Sequence, residues 1–250
     1  PATVIDPENR ILLWYLPGVL TEHYRTVILQ AAAILSPMVE ANPPTDDGSW
    51  RQQAQYFRTP RPGDEFTPGS VAFSPGWFPQ AHNESNSRPA VSVLLRKADS
   101  VGREWLEAMV EPHIIISGML HVMHPQLYSC GIASLQALRG DPSRRVVLDI
   151  WSNPFNALSI MLNRRSRLHQ DQMSSKEWYD MLLSVGGDPH LVIRFPTIPL
   201  VLPYKSGTIA TFSGARLPHE VPESQAERVC VAYYMRPNIH AWARVAMAGW

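Results

Sequence analysis

His169 and Asp171 stand two residues apart, His219 follows in Leu217-Pro218-His219-Glu220-Val221, and Arg228 comes nine residues after it. Two histidines and a carboxylate can take three sites on one face of an octahedral Fe(II), leaving the opposite face for a bidentate cosubstrate and dioxygen. That is oxidative chemistry, not hydrolysis. Residues two apart on a strand point the same way, so an extended backbone would let His169 and Asp171 act together. An arginine on the strand after the last ligand brings a planar guanidinium that can clamp a carboxylate through two parallel bonds. Each residue also has a plain reading. Among nine histidines a His-x-Asp arises by accident, and Arg228 has Glu223 and Glu227 nearby for a surface ion pair.

The chain that must position these groups has 250 residues and 45% hydrophobic content, enough for one substantial domain with a dense core. Its 22 basic and 22 acidic side chains balance. A protein whose main partner is a polyanion usually carries a basic excess, because phosphate neutralisation supplies much of the affinity. Only Lys97, Lys176 and Lys205 are lysines, so the positive charge is almost all arginine, suited to specific carboxylate or phosphate contacts. Cys130 and Cys230 make no disulfide framework, and no apolar run reaches the ~20 residues of a membrane-spanning helix. The expectation is an intracellular protein with no membrane partner, cytoplasmic for a small-molecule substrate and nuclear for DNA. Because the chain begins at Pro1 without a methionine, an upstream targeting segment stays open.

Residues 1–20 read as an extended arm or first strand. Tyr24, Val27, Ile28, Ala31 and Ala32 predict a packing helix from Thr21 to before Pro37. The span 36–69, with Pro43-Pro44, Asp46-Asp47-Gly48 and Thr59-Pro60-Arg61-Pro62-Gly63, reads as loop or lid. Phe73-Ser74-Pro75-Gly76-Trp77-Phe78-Pro79 is a rigid aromatic turn that plugs a core edge, with substrate stacking as the alternative, and a polar stretch follows to Pro89. Helices are expected over 100–110 and 125–138. His121 and His124 fall in the connector between them, at a spacing that suits a metal but with no third ligand nearby. From Val146 the texture changes to short apolar runs at 146–151, 157–162, 191–195, 200–204, 208–212 and 228–235, separated by Pro, Gly, Asn and Ser. Such punctuation predicts antiparallel strands of a barrel or sandwich, with helices outside and strands building the site.

One ordered series of segments carries a family likeness. It runs Trp151-Ser152-Asn153-Pro154-Phe155-Asn156-Ala157, His169-Gln170-Asp171, Trp178-Tyr179-Asp180-Met181-Leu182, Gly207-Thr208, Phe212-Ser213-Gly214, Leu217-Pro218-His219-Glu220-Val221 and Glu227-Arg228-Val229-Cys230-Val231-Ala232-Tyr233-Tyr234-Met235-Arg236. With 73–79 and 117–128 upstream, this series resembles the fungal branch of the Tet/J-binding-protein class of iron- and 2-oxoglutarate-dependent oxygenases. The resemblance implies an α+β chain with a mainly β catalytic core, a double-stranded β-helix (jelly roll) flanked by N-terminal helices. It implies one oxygenase domain over 1–250, with a helical and loop support region at 1–145, the β core at 146–236 and a tail at 237–250. It also implies Fe(II), 2-oxoglutarate and O2 as cofactors, His169, Asp171 and His219 as metal ligands, and Arg228 on the distal carboxylate of 2-oxoglutarate. Gln170 and Glu220 depart from the arginine and glycine common in the family, and neither belongs to the ligand set.

Cys230 should share the face of Arg228, where many relatives place a hydroxyl, and a thiol is a weak donor. Asn156, Ser159 and Asn163 are candidates for the missing polar contacts to the cosubstrate. In such enzymes 2-oxoglutarate leaves as succinate and carbon dioxide while an unactivated C–H bond is oxidised, by hydroxylation, desaturation or ring closure. The family name suggests a methylated base in DNA, reached by flipping it from the stack. The neutral charge points instead to a small anionic metabolite, an amino acid with an aliphatic side chain in fungal biosynthesis being one such class. Ile193 and Phe195 alternate on an expected strand and either line an apolar pocket or belong to the core. Arg164 and Arg165, in the run Arg164-Arg165-Ser166-Arg167, could meet phosphate or a substrate carboxylate, or form a solvated loop.

Overall fold

A computed structural model describes residues 1–78, 88–97 and 99–250. Pro79 and most of the polar stretch up to Pro89 lie outside the described residues. Strands and helices are numbered in chain order. A seven-stranded antiparallel sheet has the order β1 (Ala2–Ile5), β2 (Ile11–Leu16), β9 (Thr208–Phe212), β6 (Asp180–Gly186), β11 (Arg228–Tyr234), β4 (Ala157–Leu162) and β3 (Gly69–Phe73). A four-stranded sheet has the order β5 (Ser166–His169), β10 (His219–Val221), β7 (Val192–Phe195) and β8 (Leu200–Pro203). Two antiparallel sheets of this kind make the jelly-roll core that the family resemblance implies.

The period-two alternation of the strands divides the large sheet between two partners. On β11, Val229, Val231 and Tyr233 join the core beneath the helices, and on β9 Ile209 does the same. Ala210 and Phe212 point the other way, into a second cluster with Leu13, Ile193, Phe195 and Tyr204 between the sheets. The helical layer consists of α1 (Glu22–Ile34), α2 (Ser36–Glu40), α3 (Val101–Ala108), α4 (Val110–Met123), α5 (Pro125–Leu138), α6 (Pro142–Leu148) and α7 (Pro237–Ala243). Local chemistry sets their starts. Pro125 and Pro142 occupy the first turns, where no backbone N–H is needed, while His124 Nδ1 and the Asp141 carboxylate accept the N–H groups of Leu127 and Ser143. At Gly131 on α5 a Cβ would lie 2.4 Å from the Pro154 carbonyl oxygen, so a side chain there would push the helix off the chain entering β4.

Several expectations change. The run 146–151 is not a strand: Asp141 and Pro142 start α6 upstream, and Val146 and Val147 ride on it, one exposed and one buried. The connector holding His121 is the helix α4. It is apolar on every side and so shows no amphipathic stripe, and Pro112 sits in its first turn, where proline is tolerated. His124 is the cap of α5, not a ligand in a connector. The N-terminal stretch supplies strands β1, β2 and β3 to the large sheet. The span 36–69 carries α2 and short 3-10 turns at Trp50–Gln52 and Ala54–Tyr56. The aromatic turn is structural, with Phe73 packed on Trp105 at 5.5 Å between ring centroids.

Within the helical core His113 is fully buried between the rings of Trp105 and Tyr233, and neither ring nitrogen has a hydrogen-bond partner. Burial lowers its pKa from 6.5 to about 3, and burial also lowers those of His124 and His240. Such a histidine stays neutral in the fold and takes a proton in the unfolded chain. Its stabilisation is therefore complete above about 6.5 and is lost as pH falls toward about 3. Denaturant unfolding of His113→Phe should show a shallower acid limb than wild type, by about 1.4 kcal/mol per pH unit. Equal slopes would assign the acid sensitivity to other groups.

Candidate metal centre

Strands β5 and β10 pair antiparallel with His169 directly opposite His219, and their ring centroids lie 4.2 Å apart. Asp171 reaches the same point by another route than the expected strand alternation. β5 ends at His169, and Asp171 lies past it, where its backbone N–H donates to the Gly214 carbonyl at 2.9 Å. The ligand atoms of the three side chains all fall within 4.8 Å of one another. Among the described residues this is the group of His, Cys, Asp and Glu able to hold a metal ion.

The imidazoles are set for ligation. His169 Nδ1 lies 2.8 Å from the Arg167 carbonyl oxygen and His219 Nδ1 lies 3.0 Å from that of Leu217. A carbonyl only accepts, so each Nδ1 carries the proton and each Nε2 keeps its lone pair for a metal. Burial, reinforced by the neighbouring His169, lowers the His219 pKa to about 4, and burial lowers that of His169 as well. Both rings are therefore neutral at pH 7.

Two carboxylates meet at Gly214. A Cβ there would lie 2.6 Å from Asp180 Oδ2 and 2.7 Å from Asp171 Oδ2, so glycine lets the carboxylates close around it. Asp180, at the start of β6, is buried, and its pKa is raised well above the usual value by burial first and then by the charge of Asp171. The other Asp171 partner comes from far along the chain: Arg51 Nη2 donates to Asp171 Oδ1 at 2.7 Å. Arg51 stacks on Trp50, whose ring also faces the guanidiniums of Arg164 and Arg167 and the ring of His169. Neither Trp50 nor Arg51 carries a signal in sequence, because the loop that holds them has no hydrophobic period.

Arg228 opens β11 and is 4% exposed. Its backbone is held by Asn163, whose Oδ1 accepts the Arg228 N–H at 2.8 Å. Its Nε donates to Ser184 Oγ at 2.9 Å and its guanidinium lies over the Tyr204 ring at 5.0 Å. Glu227, the neighbour expected to compete for it, instead accepts the backbone N–H groups of Glu65 and Phe66. No carboxylate among the described residues pairs with Arg228. A buried guanidinium without an anion is costly, so the site calls for one from outside the chain.

The triad and Arg228 line one cavity of about 600 Å³. Ser159, Arg164 and Cys230 line it too. Burial lowers the Arg164 pKa to about 10, which leaves it charged at neutral pH. Other expected positions do not reach this cavity. Asn156 is buried behind it and accepts the Arg236 backbone N–H, while Asn163 serves the backbone of Arg228 as described. Ile193 and Phe195 are fully buried between the sheets, because their strand turns that face to the core, with Phe195 edge-on to Phe212 behind His219. Arg165, just before β5, lies over Tyr56 and lines a second cavity of about 310 Å³ instead. The polar groups that support Arg228 are Ser184 on β6 and Tyr204 just past β8, positions where the sequence reading sought no such contact.

Residues 74–237, well over half the chain, match the Tet_JBP family, the oxygenase domain of the 2OGFeDO superfamily. The chain belongs to this family. Of the solved structures, NgTET1 in complex with 5mC DNA shares the fold of this Tet_JBP chain with a TM-score of 0.61 at 14% identity, over 95% of this chain and 77% of that one. A viral collagen prolyl hydroxylase from Paramecium Bursaria Chlorella virus-1 is 9% identical over 89% and 94% of the two chains, with a TM-score of 0.39. A Pseudomonas putida prolyl-4-hydroxylase is 13% identical over 90% and 92%, with a TM-score of 0.40. No curated protein matches the chain by sequence. As a Tet_JBP member the protein is a 2-oxoglutarate-dependent dioxygenase, with Fe(II), 2-oxoglutarate and O2 as its cofactors. The residues fit them: two neutral imidazole nitrogens and a carboxylate suit a facial Fe(II) site, and the unpaired Arg228 suits a dicarboxylate.

Metal affinity should stay flat from pH 8 to 6 and fall as pH approaches 4, because protons then compete for His219. In calorimetric titration with Mn(II), His219→Ala should lose more than the roughly 10–100-fold typical of removing an outer partner of a ligand. A variant that binds as wild type does would remove His219 from the site.

Proposed function

We propose that this dioxygenase oxidises an unactivated C–H bond of a small anionic metabolite, with an aliphatic amino acid as the favoured class. One observation carries the reading: a cavity of small-molecule size whose charged lining is mostly guanidinium. Arg51, Arg164, Arg167, Arg228 and Arg236 face it, against the acids Asp171 and Asp180. Its volume of about 600 Å³ lies within the range for small ligands, and Met161, Leu182, Val221 and Ala232 provide an apolar wall for an aliphatic group. That wall takes the place foreseen for Ile193 and Phe195.

In this reading His169, Asp171 and His219 hold Fe(II), and Arg228, steadied by Ser184 and Tyr204, holds the distal carboxylate of 2-oxoglutarate. When bound, the metal and cosubstrate supply the oxidising power for C–H cleavage, and succinate and carbon dioxide are released. The protein supplies position. Trp50 packs edge-on against His169, and Arg51 holds Asp171 through one hydrogen bond to Oδ1, leaving Oδ2 for the metal. Hydroxylation, desaturation or ring closure then depends on which substrate carbon the apolar wall holds nearest the triad. Burial and then the charge of Asp171 raise the Asp180 pKa well above the usual carboxylate value, which disfavours a second negative charge beside Asp171.

A second reading is oxidation of a methylated base in DNA. It is supported by the fold shared with NgTET1, solved with 5mC DNA, and by Arg165, just before β5, which faces the second cavity. Against it stands the zero net charge.

Succinate release with Fe(II), 2-oxoglutarate and oxygen discriminates the readings, with free aliphatic amino acids and methylcytosine-containing DNA compared and His169→Ala as control. The amino acids should stimulate release and the control should abolish it. Stimulation by methylated DNA alone, with steep salt dependence, selects the second reading. Arg228→Gln should raise the KM for 2-oxoglutarate by roughly 10- to 100-fold. An unchanged KM would assign that carboxylate elsewhere.

A further inference from the structure

β11 presents Arg228, Cys230, Ala232 and Tyr234 to the cavity, and Arg236 follows where the strand ends. Arg228 and Tyr234 are six residues apart, roughly 20 Å along a strand. A five-carbon dicarboxylate at the Arg228 end leaves the other end for another molecule. There the Arg236 guanidinium lies 5.4 Å from the Tyr234 ring centroid, and its Nη2 reaches the Tyr234 hydroxyl at 3.5 Å. The Tyr234 hydroxyl lies 3.3 Å from Ser159 Oγ, on the adjacent strand β4. Arg236 Nε is buried without a hydrogen-bond partner, and no carboxylate among the described residues pairs with the guanidinium. Leaving a buried charged donor unsatisfied is unfavourable, so this group also lacks an acceptor from outside the chain.

We propose that Arg236, with the hydroxyls of Tyr234 and Ser159, forms the subsite that binds the carboxylate of the substrate. The inference rests on the small-anion reading above and gives that substrate an orientation. Its carboxylate lies at Arg236, and its aliphatic part runs past Ala232, Leu182 and Met161 toward the triad. One guanidinium and two neutral hydroxyls match a singly charged planar carboxylate, which takes paired N–H donors on its two oxygens. Asn156 acts as a positioning residue: its Oδ1 accepts the Arg236 N–H at 2.8 Å and fixes the backbone from which the guanidinium extends. Ser159, expected on the cosubstrate, belongs to this end instead, because it lies opposite Ala232 in register and bonds Tyr234.

The test uses full-length protein loaded with Mn(II), so that binding is read without turnover. Affinities for 2-oxoglutarate, for alanine, valine, leucine and isoleucine, and for their carboxamides are measured by calorimetry for wild type, Arg236→Gln, Arg236→Lys, Tyr234→Phe and Arg228→Gln. Wild type should bind amino acids and discriminate against the carboxamides. Arg236→Gln should lose roughly 10- to 100-fold in amino-acid affinity and keep its 2-oxoglutarate affinity. Arg236→Lys should recover part of the loss. Tyr234→Phe should weaken amino acids several-fold and so tests the subsite even if the Arg236 variants fail to fold. Arg228→Gln should show the converse pattern, losing 2-oxoglutarate. Equal binding of acids and carboxamides overturns the proposal, as does wild-type amino-acid affinity in both Arg236→Gln and Tyr234→Phe. Loss of both ligands in Arg236→Gln overturns it too, by making Arg236 a support of the whole cavity. If wild type binds no amino acid, the carboxylate subsite is wrong, while succinate formation sensitive to His169→Ala would still uphold the oxygenase reading.

Discussion

The pairing of β5 with β10 is the constraint on which the rest of the site depends. It sets His169 opposite His219, and the backbone carbonyls of Arg167 and Leu217 hold both rings in one tautomer with Nε2 directed inward. A slip of one residue in that register would turn one imidazole away from the other. The strand pair is short, so its register needs support from outside. The apolar cluster of Leu13, Ile193, Phe195, Phe212 and Val221 provides it by packing the small sheet against the large one. Phe195 and Phe212, behind His219, thus act on the metal centre through packing, without lining the cavity.

The large sheet contributes polarity along one strand. β11 buries Val229, Val231 and Tyr233 beneath the helices and turns Arg228, Cys230, Ala232 and Tyr234 to the cavity. The same alternation that builds the core therefore builds a site that is cationic at both ends and apolar between. The buried Arg228 and the partly buried Arg236 are each propped, Arg228 by Ser184, Asn163 and Tyr204, and Arg236 by Tyr234 and the Asn156 bond to its backbone. These props hold geometry and leave the charge unmatched.

Much of this was legible in the sequence, and what was not has physical causes. The triad and Arg228 stand in ordered segments, and short apolar runs set off by Pro, Gly, Asn and Ser revealed β4, β7, β8, β9 and β11. Asp171 arrives through a turn, which no strand rule describes. Arg51 contacts Asp171 across a separation of 120 residues from a loop without periodicity. The helix α4 is apolar all round and gives no stripe, while Val146 and Val147 mimic a strand that the Asp141 cap converts into a helix. Asn156 and Ser159 were sought beside 2-oxoglutarate because both lie near β4. The register of β4 on β11 pairs Ser159 with Ala232 and leaves Asn156 just before the strand.

The N-terminal strands have a consequence for the sheet as a polymerisable surface. β2 covers one edge of β9, all five residues of which are buried, and β1 covers β2 in turn with a short, largely exposed ribbon. Without both strands, the unpaired N–H and C=O groups of β9 would form an open template for another chain. The residues that follow β9, Ser213 and Gly214, lead directly to the two carboxylates. The first sixteen residues therefore guard an edge against self-association and, by clamping β9, hold the backbone on which the acidic side of the metal site rests.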